Sequence, residues 1–167
     1  PNVITFTGLA EGIALDEGAN NCVSGYEKIA GYAEKKKVNL CLEVLNSRVP
    51  VEMVGVPGYQ GDHTDYCMEI VKRVGSPRMK LLFDIFHVQI MDGDLIRRIE
   101  QHHEFIGHVQ IAGNPGRGEI GDNQEINYRS LMKALLKVNY AGYVGHEWIP
   151  TGDPLKGLEE AISICDI

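Results

Sequence analysis

Leu81-Leu82-Phe83-Asp84-Ile85-Phe86-His87 is the stretch whose reading decides the fold. It is a short apolar run, rich in β-branched and aromatic residues, bounded by Ser76-Pro77 and Asp92-Gly93, and it predicts a buried strand. An ionised Asp84 near the end of such a strand is costly unless its charge has a partner. Three further apolar runs carry one polar residue near the same end: Glu43 in 40–45, Gln110 in 108–111 and Glu147 in 143–148. One polar residue per strand, four times over, points to a shared site. A divalent cation is the simplest partner that lets these groups occupy one low-dielectric pocket.

Working outward from that stretch, strand and helix patterns alternate. A β-rich run at 3–7 is followed by a Gly-rich loop through Asn21 and a helix predicted over 22–37. After the Glu43 strand, Asp62 is expected to cap a helix over 63–74 that Gly75 stops. The Asp84 strand leads to a helix over 95–102, and the Gln110 strand to a Gly/Pro loop at 113–119 that carries Arg117. Asn127 caps a helix to about 138, and the Glu147 strand is followed by a helix with Pro154 in its first turn.

The count is five βα units with near-continuous apolar strands, which means parallel strands covered by helices. Polar residues at the C-terminal ends of several strands favour a (β/α) barrel of the TIM type over an open sheet. Gly8 alone does not make the phosphate fingerprint expected after the first strand of an open doubly wound sheet. A complete eight-stranded barrel takes about 250 residues, against 167 here. Residues 1–167 are therefore expected to form a single partial (β/α) barrel domain, lacking three N-terminal βα units. Self-association into a homo-oligomer is the other way to cover the open first and last strands.

Bulk properties narrow the class. A formal charge of −7 argues against nucleic acid as a partner, because affinity for phosphate rests on Lys and Arg. No run approaches the ~20 apolar residues of a membrane span. Four cysteines without a CxxC pair read as reduced thiols, which predicts a cytoplasmic setting.

Period-two alternation makes the site expectation explicit. Glu43 shares a face with Cys41, Asp84 with Leu82, Gln110 with His108, and Glu147 with Gly145. If those faces point inward, three carboxylates and one carboxamide converge at the barrel mouth. All-oxygen ligation suits Mg2+ or Mn2+ over zinc or copper. His87, three residues past Asp84, is expected at the strand exit as a substrate contact, a support for the ligands or an aromatic plug. Arg117 is placed to fork onto a substrate carboxylate.

The segments Phe86-His87-Val88-Gln89-Ile90-Met91-Asp92-Gly93, Gly107-His108-Val109-Gln110-Ile111-Ala112, Pro115-Gly116-Arg117-Gly118-Glu119 and Glu125-Ile126-Asn127-Tyr128 resemble hydroxypyruvate isomerases of the xylose-isomerase-like barrel superfamily. The resemblance spans about residues 3–152 and the family's fourth to eighth strands. It implies metal ligands Glu43, Asp84, Gln110 and Glu147, an acid/base pair Glu43 and Glu147, and substrate contacts His87 and Arg117. The implied reaction is isomerisation of a small hydroxy-carbonyl substrate, hydroxypyruvate to tartronate semialdehyde, through an enediolate. A ketose 3-epimerase and a non-catalytic barrel fragment are the alternatives. His146 stands where such isomerases usually carry cysteine, and Thr151 where arginine is common, which bears on the substrate.

Overall fold

The computed structural model describes residues 1–167. Five parallel strands lie side by side in sequence order: β1 (Asn2–Thr5), β2 (Asn39–Glu43), β3 (Met79–Asp84), β4 (Ile106–Ile111) and β5 (Val144–His146). Helices α1 (Leu15–Lys36), α2 (Thr64–Val74), α4 (Leu95–His102), α5 (Tyr128–Lys137) and α6 (Pro154–Cys165) follow the five strands, with the short α3 (Ile85–Met91) inserted after β3. The result is an incomplete (β/α) barrel whose two end strands each have one neighbour. No helix is long and apolar enough to cross a membrane.

The hydrophobic core lies between the outward face of the sheet and the helices. Leu40, Leu42, Leu81, Phe83, Val109 and Ile111 from the strands pack with Val23, Met68, Ile70, Ile99, Leu131 and Leu135 from the helices. Because side chains alternate across a strand, burying these residues outward sends Cys41, Glu43, Leu82, Asp84, His108 and Gln110 to the inner face. Neighbouring strands agree on this: Glu43 pairs with Leu82, Leu82 with His108, Asp84 with Gln110, and Gln110 with Gly145. Agreement between β3 and β4 depends on a one-residue slip. Leu81 pairs with Ile106 but Leu82 with His108, so Gly107 is the extra residue. A Cβ at Gly107 would come within 2.8 Å of both the Cys41 sulfur and Lys80 Cβ, so only glycine passes there without a shift.

Three expectations are corrected. The Leu81–His87 run is not one strand. It ends at Asp84, whose carboxylate accepts hydrogen bonds from the backbone N–H of Phe86 (2.8 Å) and His87 (3.2 Å) and so caps α3. Short apolar runs do not distinguish strand from buried helix, and here the cap decides. Helix α1 begins at Leu15, not Cys22, despite Gly18, Asn20 and Asn21. Asp16 and Glu17 favour its N-terminus, and Gly18 lets the helix approach the buried Gln60 side chain, so tertiary packing overrides propensity. Asp62 does not cap α2: it accepts from Ser47 Oγ (2.5 Å), while Asp92 accepts from the Thr64 N–H at 2.8 Å.

The four cysteines are free thiols, Cys41 and Cys67 buried and Cys22 and Cys165 half-buried. The β4–α5 connection is anchored from inside. The Tyr128 hydroxyl donates to the Ala112 carbonyl (2.5 Å) and accepts from its N–H (3.2 Å), with Tyr128 buried. Tyr128→Phe should therefore lower stability by about 1–3 kcal/mol, measured by denaturant unfolding, since two backbone groups lose their partner.

Candidate active site

The inner face of the sheet brings its polar residues to the C-terminal ends of β2 to β5. Glu43 ends β2 with 4% of its surface exposed, Asp84 ends β3 with 1%, and Gln110 lies one residue before the end of β4 with 6%. Glu147 follows β5 directly. Its backbone N–H donates to the Ile111 carbonyl (3.0 Å), which continues the β4–β5 pairing, and its side chain is 45% exposed. All four predicted ligands thus reach one end of the sheet; three are buried and Glu147 stands at the rim.

His87 is in the first turn of α3 rather than at a strand exit, and the turn that Asp84 caps folds its ring back over the site. One ligand atom each of Glu43, Asp84 and His87 lie within 4.8 Å of one another. His87 Nε2 is 3.7 Å from Asp84 Oδ2. Arg117 comes over the same point from the β4–α5 loop. Its Nη2 is 2.5 Å from Glu147 Oε2 and 3.8 Å from Asp84 Oδ2, its Nη1 donates to the Met53 carbonyl (2.5 Å), and its guanidinium lies 5.8 Å from the Phe86 ring centre. Arg117 holds a left-handed backbone, φ 59°. A non-glycine residue there costs about 1–2 kcal/mol and persists only when its surroundings require it.

The electrostatics follow from burial. Desolvation, then the neighbouring charges of Asp84 and Glu147, push Glu43 up to about 8, with Arg117 pulling the other way. Desolvation raises Asp84 to about 6 against Arg117 and the two N–H groups that cap onto it. Burial drives His87 down to about 3, so its imidazole is neutral. Two buried carboxylates with little positive charge around them could hold a cation. Gln110 Oε1 is buried with no hydrogen-bond partner, as an acceptor reserved for something else would be. Glu43, Asp84, Gln110 and Glu147 therefore fit a hard divalent ion, for which all-oxygen ligation is normal.

The residues around the site sort by contact. The Tyr59 hydroxyl donates to the Glu43 carbonyl (2.9 Å) and accepts from the Thr7 N–H (3.1 Å), so it braces the end of β2 from below. Trp148 is half-buried and packs against the core cluster near α6 at Gly157, which makes it a packing residue. Thr151 donates through its N–H (2.7 Å) and hydroxyl (2.8 Å) to Glu119, which ties the Arg117 loop to the segment after Glu147. Asn46 was missed as a site residue. It is fully buried three residues past Glu43 and binds the inner nitrogen of His87. Its only signal in the sequence is a lone Asn after a buried strand, which reads as an ordinary turn residue.

A partial parallel barrel with acidic and amide residues at its strand ends defines the class, and sequence comparison agrees. The chain belongs to the xylose isomerase-like TIM barrel family, whose model matches residues 2–166. It is 38% identical over 109 residues to hydroxypyruvate isomerase of Escherichia coli (strain K12), covering 65% of this chain and 42% of that protein. It is 34% identical over 129 residues to 2-oxo-tetronate isomerase of Cupriavidus necator, covering 77% and 47%. The crystal structure of an AP endonuclease, family 2, from Brucella melitensis superposes with a TM-score of 0.85 at 34% identity, over 94% of this chain and 58% of that one. The chain spans about half the length of the curated relatives it matches.

Proposed function

We propose that these residues belong to a metal-assisted isomerase acting on a small 2-oxo acid with a neighbouring hydroxyl, hydroxypyruvate first among them. Buried Glu43, Asp84 and Gln110, with Glu147 at the rim and Arg117 between the charges, are the observation that carries the reading. The two isomerase relatives support the substrate class, since both act on carbonyl compounds by their names. In this reading residues 1–167 act as one partial barrel domain.

Glu43, Asp84, Gln110 and Glu147 would hold the cation, Mg2+ or Mn2+. When bound, such an ion would supply Lewis-acid polarisation of a carbonyl and offset developing negative charge. Of Glu43 and Glu147, one removes the proton from the hydroxyl-bearing carbon and the other returns a proton to the former carbonyl carbon, while the hydroxyl proton passes to the former carbonyl oxygen. Arg117 offers a planar fork of N–H donors for the substrate carboxylate, and its loop holds it at the pocket rim with a left-handed backbone. His87, neutral and buried, touches the substrate.

The test is turnover of hydroxypyruvate and of a ketohexose side by side, with Mg2+ and with EDTA. Metal-dependent formation of tartronate semialdehyde supports the proposal. Turnover of the ketohexose alone would favour a 3-epimerase, and no metal-dependent turnover of either would favour a non-catalytic fragment. In an active chain, Arg117→Lys should raise KM for hydroxypyruvate about 10- to 100-fold, because lysine keeps the charge but loses the bidentate geometry.

A further inference from the structure

The cluster of Glu43, Asp84 and His87 leaves His87 two mutually exclusive roles: a lone pair at Nε2 makes it a metal ligand, whereas a proton there makes it a hydrogen-bond donor. We propose that Asn46 is a positioning residue that fixes His87 in the Nε2–H form, so that His87 donates a hydrogen bond into the site and does not ligate the cation.

The argument is one of donors and acceptors. The backbone N–H of Asn46 points at His87 Nδ1 at 3.1 Å, and the Asn46 side-chain Nδ2 lies 2.7 Å from the same nitrogen. The orientation of the Asn46 amide is set independently by the loop around it. Nδ2 donates to the Val54 carbonyl at 2.8 Å, while Oδ1 accepts from the Val49 N–H at 3.1 Å. Turning the amide over would place an oxygen against the Val54 carbonyl and an NH2 against an N–H. The Asn46 carbonyl accepts from the Val56 N–H at 2.8 Å, which fixes the backbone as well. Two N–H donors therefore face Nδ1, and a proton on Nδ1 would meet them head-on. A neutral imidazole must then carry its single proton on Nε2.

Nε2 is buried, has no hydrogen-bond partner, and lies 3.7 Å from Asp84 Oδ2. An N–H at that place, beside the ligand carboxylates, is aimed at an oxygen that a bound substrate brings there. It would donate to the substrate oxygen on which negative charge develops. The cation keeps an all-oxygen set, and the second function of Asn46 is to exclude nitrogen ligation. The donor role rests on the isomerase reading; the proton position does not.

The experiment is two-bond 1H–15N correlation on the uniformly 15N-labelled full chain, without metal and with Mg2+, His87 being identified by the signal lost in His87→Asn. The expected His87 pattern has a pyrrole-like Nε2 and a pyridine-like Nδ1, unchanged in type on adding Mg2+, with a through-hydrogen-bond coupling between the Asn46 backbone nitrogen and Nδ1. An Nδ1–H pattern, or loss of the Nε2 proton on adding Mg2+, overturns the proposal in the unmodified chain. Asn46→Asp keeps the backbone N–H but replaces the side-chain donor beside Nδ1 with an acceptor, so the Nε2–H form should lose population to the Nδ1–H form, with at least tenfold lower kcat and little change in KM. An Asn46→Asp chain that folds and keeps the Nε2–H pattern overturns the part assigned to Asn46. If that variant does not fold, absence of the coupling in the unmodified chain does so. An inactive chain with the expected pattern would remove the isomerase reading and leave the proton assignment standing.

Discussion

Without metal, the chain should lose about 3–5 kcal/mol of stability between pH 5 and pH 8, and Mg2+ should restore it. The cause is Glu43, whose carboxyl is buried and pushed up to about 8 from a value near 4.5 in the unfolded chain. A carboxyl whose folded-state pKa is raised takes up a proton on folding. Its contribution is fully present below about 4.5 and is lost as pH rises through about 8, as the ionised form must then be buried. A shift of this size is worth several kcal/mol at about 1.4 per unit. Asp84 adds the same sign over the lower window, from its ordinary 3.8 to about 6. Thermal melts at pH 5 and pH 8 should differ by roughly 10 °C for a domain of this size. Glu43→Gln is the control: at pH 8 without metal it should melt above the unmodified chain, and Mg2+ should stabilise it less. A flat profile would mean that the site is not desolvated as described.

The second large effect concerns turnover. Glu147→Gln should lower kcat for the proposed isomerisation by about 10²- to 10⁴-fold, the span of a lost acid/base group. Metal binding should be weakened much less, because Glu43, Asp84 and Gln110 remain buried around the ion's place. Glu147 is well suited to such a test. Its side chain is at the rim and ion-paired to Arg117, so an amide of the same shape leaves the core untouched. Isothermal titration with Mn2+ alongside steady-state kinetics separates the two effects. Unchanged kcat would remove Glu147 from the proton transfers.

The barrel architecture was legible in the sequence because both signals that define it are long-range and periodic. Apolar runs at 40–45, 81–87 and 108–111 marked the buried strands, and one polar residue per run marked their inward face and their C-terminal ends. What could not be read was local geometry that depends on a partner distant in the chain. Asp84 looked like a strand residue because its capping of α3 is invisible until the chain turns. Asp62 looked like the cap of α2, yet the Thr64 N–H goes to Asp92, 28 residues on. Asn46 looked like a turn residue because its significance lies in His87, 41 residues away. The convergence of Glu43, Asp84 and Gln110 was legible; the pairing of Arg117 with Glu147 across two loops was not.

The slip at Gly107 sets the parity of everything beyond it. Were Gly107 paired one-to-one with Leu82 instead of being skipped, Val109 would stand beside Asp84 and Gln110 would be turned among the helices, with the hydrophobic layer and the polar mouth exchanged along that strand. A single residue without a side chain thus acts as a phase shifter: it costs nothing in chemistry, yet it decides whether the fourth strand contributes an oxygen or a methyl group to the pocket.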